Sequence, residues 1–384
     1  SHALQSLNSL RPPAGTPLSY YKANLVISLP NSLLLRQNLG MSNRTKNIIY
    51  SVVLLLALLI VYQYRKAGDK AISIVQFSGK TMGPIAYNVT YFDAEGRDFQ
   101  SQVDSVLRIF NQSLNTYIPG SEISRFNSDS LFEFNLHYFR EAAKKGGELY
   151  NLTDGAYDPS IGPLINAWGF GYKDREEMDS LKVDSLKSFT GFDLIHITDK
   201  VISKKDVRLQ LDFSASAKGY GVDVVMDLLK SYGISNAFVE IGGEVAVAGK
   251  NLQKDTLWTV GILDPNSTEL EQRYHGIISL KDKGMATSGN YFNYIVTDGV
   301  KYGHTIDPVS GYPIQHELLS ASVIADNCHT ADALATAFMV FGLERTIQFL
   351  NEHKAYDAYL IYSDNNGKLD VYNTPGIQSS IRPI

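Results

Sequence analysis

Residues 211–243 read LDFSASAKGYGVDVVMDLLKSYGISNAFVEIGG, and this stretch decides the fold class. Small residues and Lys218 open a segment in which Tyr220, Val224, Val225, Leu228 and Tyr232 recur at helical spacing. Gly233 is its stop signal. The run Ala237-Phe238-Val239-Glu240-Ile241 that follows is short, apolar and β-prone, and Gly242-Gly243 ends it. The stretch predicts a helix feeding a strand that closes on a glycine turn.

Working outward, Phe99, Val103, Val106, Leu107, Phe110 and Leu114 predict a second helix. Leu257 to Ile262 and Tyr291 to Val296 predict strands. Thr330 is the expected N-cap of a helix running through Ala331-Asp332-Ala333-Leu334-Ala335-Thr336 to about Val340. Ala358 to Tyr362 and Leu369 to Tyr372 flank Asn365-Asn366-Gly367, a hairpin signal. Helices and strands mix without strict βαβ alternation, which implies an α+β fold in a single soluble domain over residues 70–384.

The whole chain has 384 residues, with 44% hydrophobic and 20% charged residues, which is a globular balance. A net charge of −5 argues against nucleic acid as a partner, because phosphate binding needs a basic face. The single Cys328 excludes an intrachain disulfide and Cys-rich metal centres. Residues 48–62, IIYSVVLLLALLIVY, carry no charge and are flanked by Arg44, Lys46, Arg65 and Lys66. The run is a little short for a comfortable bilayer span, which takes about 20 residues. It lacks a polar face and a clear cleavage site follows it nowhere, so residues 41–69 are expected to be a basic segment plus an uncleaved membrane anchor. Residues 1–40 precede Met41 and show no sustained periodicity; they are expected to be an upstream or added extension.

Several familiar motifs are missing. Gly79-Lys80-Thr81 lacks the earlier glycine of a phosphate loop, because residue 74 is Ile. Thr287-Ser288-Gly289 lacks the glycines of a nucleophile elbow. What remains is a series of short clusters. Asp332 and Thr336 are four apart and share one helix face, where a carboxylate and a hydroxyl can ligate a hard cation. The same pair also serves as a dipole complement and a packing residue. Lys218, at a helix entry among small residues, suits phosphate, although an ordinary cap with Asp212 as a turn residue reads equally well. Ile241-Gly242-Gly243-Glu244 is either a tight turn or a close approach to a ligand. His304 can take a proton from a hydroxyl, or it can be a turn histidine with Asp307 initiating the turn before Pro308. Tyr117 and Tyr157 can stack on a flat ring.

Taken in order, the clusters resemble one family. They run Thr81-Met82-Gly83, Ser121-Glu122-Ile123-Ser124-Arg125-Phe126-Asn127, and Gly162-Pro163-Leu164 through Trp168-Gly169-Phe170-Gly171. Asp212 with Ala217-Lys218-Gly219-Tyr220, Gly242-Gly243-Glu244, Ala286-Thr287-Ser288-Gly289, His304-Thr305-Ile306-Asp307-Pro308 and Ala331 to Thr336 complete the set. The order resembles the ApbE family of FAD:protein FMN transferases from about Ser78 to Gly342. The resemblance implies an ApbE-like α+β fold that binds FAD and Mg²⁺. It implies cleavage of the FAD diphosphate, transfer of FMN to a Thr or Ser hydroxyl of a target protein, and release of AMP. An FAD pyrophosphatase or a non-catalytic flavin-binding protein are the alternatives. By motif, Met82, Tyr117, Ala156, Tyr157, Asp158, Asp212, Lys218, Gly243 and Ile306 would line the FAD site. The Ala215 carbonyl, Asp332 and Thr336 would ligate Mg²⁺, with His304 as base and Asp307 supporting it. Implied acceptors include Nqr- and Rnf-type electron-transfer subunits, on the periplasmic side of a bacterial cytoplasmic membrane. Ser214, Ser216 and Asn290 depart from the usual pattern, where Gly or Ile and Asp are common, and no Cys follows the apolar run to carry a lipid.

Overall fold

The computed structural model describes residues 42–68, 73–267, 271–289, 294–297, 300–303, 305–364 and 366–384. Residues 1–40, expected to be an extension, lie outside the described residues, as do His304 and Asn290. The chain divides after Lys70 into two units. The first contains helix α1 (Asn43–Gly68). Its stretch Asn43–Val61 is long and apolar enough to cross a membrane by length and composition, and none of it is buried.

The second unit is built on an eight-stranded sheet, whose strands we number β1 (Ser73–Thr81), β2 (Ile85–Asp93), β3 (Ala237–Ile241), β4 (Glu244–Ala248), β5 (Lys283–Gly289), β6 (Leu318–Ala325), β7 (Asp357–Ser363) and β8 (Leu369–Asn373). Their spatial order follows the chain, and each neighbouring pair is antiparallel. The remaining long helices are α2 (Gln100–Leu114), α3 (His137–Leu152), α4 (Ala217–Ser231) and α5 (Cys328–Glu352). The mixture is α+β, with the helices inserted between consecutive strands of one antiparallel sheet.

The pleat explains the residue pattern. In β4, Val245 and Val247 point to one face, where Trp258, Ile262, Ile278 and Leu280 of a smaller sheet cover them. Ala246 and Ala248 point to the other face and pack with Val222, Val225, Ala331 and Leu334 of α4 and α5. With both faces covered, β4 is buried along its whole length. Small side chains on the helix side let α4 and α5 come close to the strands, and that places their amino-terminal turns over the β3–β4 and β5 ends. Helix α5 also has the length and composition of a span, but 56% of its span window is buried in protein, so its apolarity is that of a core helix. It is broken at Gly342, where φ is 74°.

One expected boundary shifts. The N-cap of α5 is Asn327, not Thr330: the Asn327 Oδ1 accepts from the Thr330 N–H at 2.8 Å. Asn offers a better-placed acceptor three residues before the amide it serves. Of the strand expected over Tyr291–Val296, residues 291–293 lie outside the described residues, and the described part is Tyr294–Thr297, paired with Val300–Gly303.

Candidate active site

A cavity of about 880 Å³ opens where α4, α5, the β3–β4 turn and β5 meet. That volume falls in the range of small-molecule and cofactor sites, roughly 300–1,000 Å³. Ala156, Tyr157, Asp158, Asp212, Ala215, Lys218, Gly243, Ile306, Asp332 and Thr336 all line it. Residues scattered over 180 positions thus meet in one cavity, with Lys218 supplied by α4 and Asp332 and Thr336 by α5.

The β3–β4 turn is a two-residue hairpin in which Ile241 pairs with Glu244. Gly242 and Gly243 take φ of 61° and 102°, a conformation that requires glycine. A Cβ on Gly243 would meet nothing within 4 Å, so this part of the wall is bare backbone. Asp212 is indeed a turn residue, accepting from the Ser214 N–H at 2.7 Å, yet it also faces the cavity. Asp158 does the same with the Ser160 N–H at 2.8 Å, and burial pushes its carboxyl up to about 6. The buried Tyr157 hydroxyl shares a 2.6 Å hydrogen bond with Ser216 Oγ, so the departure at position 216 supplies a partner for a phenol.

Lys218, Glu244 and Asp332 act on one another, beside Asp158, Asp212 and Glu240 in the same lining. Lys218 Nζ lies 2.6 Å from Glu244 Oε1, while Glu244 Oε2 is buried without a hydrogen-bond partner among the described residues. Asp332 Oδ2 accepts from the Gly219 N–H at 2.9 Å. Burial raises the carboxyls of both Glu244 and Asp332, opposed by the Lys218 ammonium. Lys218 is pushed down by burial but pulled up more strongly by Glu244 and Asp332, so it stays charged. Among the described residues that line the cavity, Lys218 is the one Lys or Arg, against the acidic side chains Asp158, Asp212, Glu240, Glu244 and Asp332.

Thr336 Oγ1 sits 3.4 Å from the Ala215 carbonyl oxygen and 3.2 Å from Ser288 Oγ. One turn earlier on the same helix stands Asp332. Carboxylate, hydroxyl and carbonyl make an all-oxygen donor set, which suits a hard cation. Among the described residues no three His, Cys, Asp or Glu side chains converge as a metal cage. A sparse oxygen set that leaves positions for water or phosphate is the pattern of Mg²⁺ rather than of Zn²⁺.

Three expected site residues stand apart. Met82 does not line the cavity; it has φ of 48° in the β1–β2 turn and its methyl group faces Gly221 of α4. Tyr117 is exposed and meets Tyr172 edge-on, with centroids 6.1 Å apart. It lies near enough to Asp212 for that carboxylate to add to burial in raising its phenol. Asp307 gives both carboxylate oxygens to its own turn, accepting from the Val309 N–H at 2.9 Å and the Ser310 N–H at 3.1 Å. Conversely, Glu244 and Ser288 face the cavity although sequence reasoning gave neither a role; the signal available for Glu244 was an acidic residue directly after a glycine pair. Cys328 is fully buried, its Sγ 3.5 Å from the Met285 carbonyl oxygen, and burial raises its thiol.

The model of the ApbE family matches residues 82–360. An FAD:protein FMN transferase of Vibrio cholerae is 36% identical over 313 residues, spanning 78% of this chain and 91% of that protein. One from Haemophilus influenzae is 35% identical over 315 residues, spanning 78% and 90%. Among solved structures, flavin transferase ApbE from Vibrio cholerae superposes with a TM-score of 0.72 at 34% identity, covering 80% of this chain and 99% of that one. The apo form of the Pseudomonas stutzeri flavinyl transferase ApbE gives 0.71 at 31% identity, covering 80% and 97%. With fold, motif order and near-full-length relatives in agreement, the chain belongs to the ApbE family.

Proposed function

We propose that the chain is an Mg²⁺-dependent FAD:protein FMN transferase. The observation that carries this reading is the convergence of Asp332, Thr336, the Ala215 carbonyl and Lys218 on one cavity wall beside the bare Gly242-Gly243 turn. Relatives of that name along most of the chain support it. In the reaction, a Thr or Ser hydroxyl oxygen of the acceptor attacks the FMN phosphorus of FAD. The bond from that phosphorus to the bridging oxygen breaks, and AMP leaves with the electron pair. The hydroxyl proton passes to His304, a role that rests on the family motif alone.

The chain's own groups divide the work. Apolar wall residues such as Ile165, Phe170 and Ile306 exclude water from a flat ring system. Lys218 offers a fixed positive charge to the diphosphate, and Glu244 holds it in place. Asp332, Thr336 and Ala215 would hold Mg²⁺, which when bound neutralises charge developing on the phosphate oxygens. The Asp307 turn keeps Ile306 in the wall through the Ile306–Pro313 bridge. Met82 and Tyr117, which do not line the cavity, are given no part in this reading. Anchoring by α1, with the second unit on the periplasmic face and Nqr- or Rnf-type subunits as acceptors, completes the proposal.

The full chain, incubated with FAD, Mg²⁺ and a Thr-containing acceptor peptide, tests it. A peptide heavier by FMN, with AMP released in equal amount, is expected. AMP and free FMN with an unchanged peptide would establish a hydrolase instead, and intact FAD a binding protein.

A further inference from the structure

Helices α4 and α5 hold each other by their amino-terminal ends. Asp332 of α5 accepts from the Gly219 N–H in the first turn of α4. In return Asp223 of α4 accepts from two amides in the first turn of α5, Cys328 N–H to Oδ1 at 2.9 Å and His329 N–H to Oδ2 at 2.8 Å. In each helix the donor and the carboxylate are one turn apart, Gly219 with Asp223 and Cys328 with Asp332, so both lie on the face turned to the partner. The helices are in backbone contact here: a Cβ on Gly219 would lie 2.7 Å from Asp332 Cβ and 2.8 Å from the Cys328 carbonyl carbon. Asn327 already caps Thr330, so Asp223 is not the ordinary local cap of α5.

We propose that Asp223 is a positioning residue of the transfer site: by clamping the amino-terminal turn of α5 onto α4, it fixes Asp332 and Thr336 opposite the Ala215 carbonyl. This rests on the transferase reading above. Asp332 serves both the clamp and the cation set, so loosening the Asp223 half frees Asp332 to move relative to Ala215 and Lys218. The consequence is specific. Loss of the clamp weakens the cation site before it weakens the apolar wall that receives the flavin, because no residue of that wall is held by Asp223.

The test uses Asp223→Asn, Asp223→Glu and Asp223→Ala in the full chain. Asn keeps the shape but presents an amide nitrogen to one of the two N–H groups. With folding confirmed by circular dichroism, Asp223→Asn is expected to raise the half-saturating Mg²⁺ concentration for FMN transfer by about tenfold, the size of a lost charge-assisted hydrogen bond. FAD affinity measured by flavin fluorescence without Mg²⁺ should change less than twofold, and Asp223→Glu should recover part of the Mg²⁺ response. Hydrogen exchange gives a readout independent of turnover. The Gly219 amide, which Asp223 does not touch, should exchange faster in Asp223→Asn because the two halves of the clamp are linked. Unchanged Gly219 exchange or a wild-type Mg²⁺ response in a folded variant would overturn the proposal. If wild type itself transfers no FMN, the transferase reading fails, while the exchange result still decides the clamp. If Asp223→Ala does not fold, the other two variants carry the test.

Discussion

Gly219→Ala is the sharpest probe of the site. The added Cβ would lie 2.7 Å from Asp332 Cβ and 2.8 Å from the Cys328 carbonyl carbon, and closer still to the Cys328 carbonyl oxygen. Ordinary carbon contacts are about 3.5–4.0 Å, so the helices must part by about 1 Å. Overpacking of this kind costs about 1–3 kcal/mol. Replacing a helical glycine by alanine returns about 1 kcal/mol of helix propensity. The two nearly offset, so the melting temperature should fall by no more than about 5 °C. Catalysis has no such compensation. Parting the helices moves Asp332 away from the Gly219 amide and the Ala215 carbonyl, and a misplacement near 1 Å costs about a hundredfold in rate. The assay is FMN transfer at saturating FAD over a range of Mg²⁺, beside a thermal melt. Gly233→Ala is the control: Gly233 ends α4 with φ of 84°, but a Cβ there meets nothing within 4 Å. It should cost about 1 kcal/mol of stability and leave the rate alone. A folded Gly219→Ala protein that transfers FMN at the wild-type rate would refute the reasoning.

Asp332→Ala should abolish Mg²⁺-dependent turnover, and turnover that persists at wild-type rates would remove Asp332 from the cation set. His304→Ala should keep FAD binding but slow transfer; loss of FAD binding, read by fluorescence titration, would make His304 a ligand contact instead of a base. His329 is buried against Tyr220, with rings stacked 4.6 Å apart, and burial followed by the Lys145 charge lowers its pKa to about 3. An unfolded histidine titrates near 6.5, so between pH 6.5 and 3 the unfolded chain binds the extra proton and stability falls as pH drops. The raised carboxyls of Asp223 and Asp158 slope the opposite way. The signature is therefore a difference: His329→Phe should gain on wild type by about 1.4 kcal/mol per pH unit below 6.5 in urea melts, and parallel profiles would contradict it.

The helix and strand of residues 211–243 were legible as elements, but the face that the helix buries was not, because apolar residues lie on more than one side of it. Strand β3 buries Ala237, Val239 and Ile241 as a period of 2 requires, whereas α4 buries Val222, Val225, Met226 and Leu229, so of its expected stripe only Val225 is buried and Tyr232 is exposed. The order of the eight strands was not legible, because pairing is settled between segments more than 100 residues apart, as in β2 with β3. The start of α5 was misjudged because Thr330 and Asn327 both cap well, and only the fold shows which one has helical dihedrals. At the site, spacing alone put Asp332 and Thr336 on one face. The family resemblance, and not the pattern of residues, linked them to Ala215. Nothing in the local sequence marks Asp223 as the cap of a helix 105 residues later, since that contact exists only once α4 and α5 have docked.

The lone thiol sits at the most informative place in the molecule. Cys328 is the first residue of α5, donates its amide to Asp223, and is sealed from solvent with its thiolate disfavoured. A maleimide or disulfide reagent can reach it only when the packing of the start of α5 on β5 and the core opens. The rate of its modification in the unaltered protein is therefore an intrinsic clock for opening around the start of α5, one turn from Asp332, and substrate analogues that tighten the site will slow that clock without any engineered label.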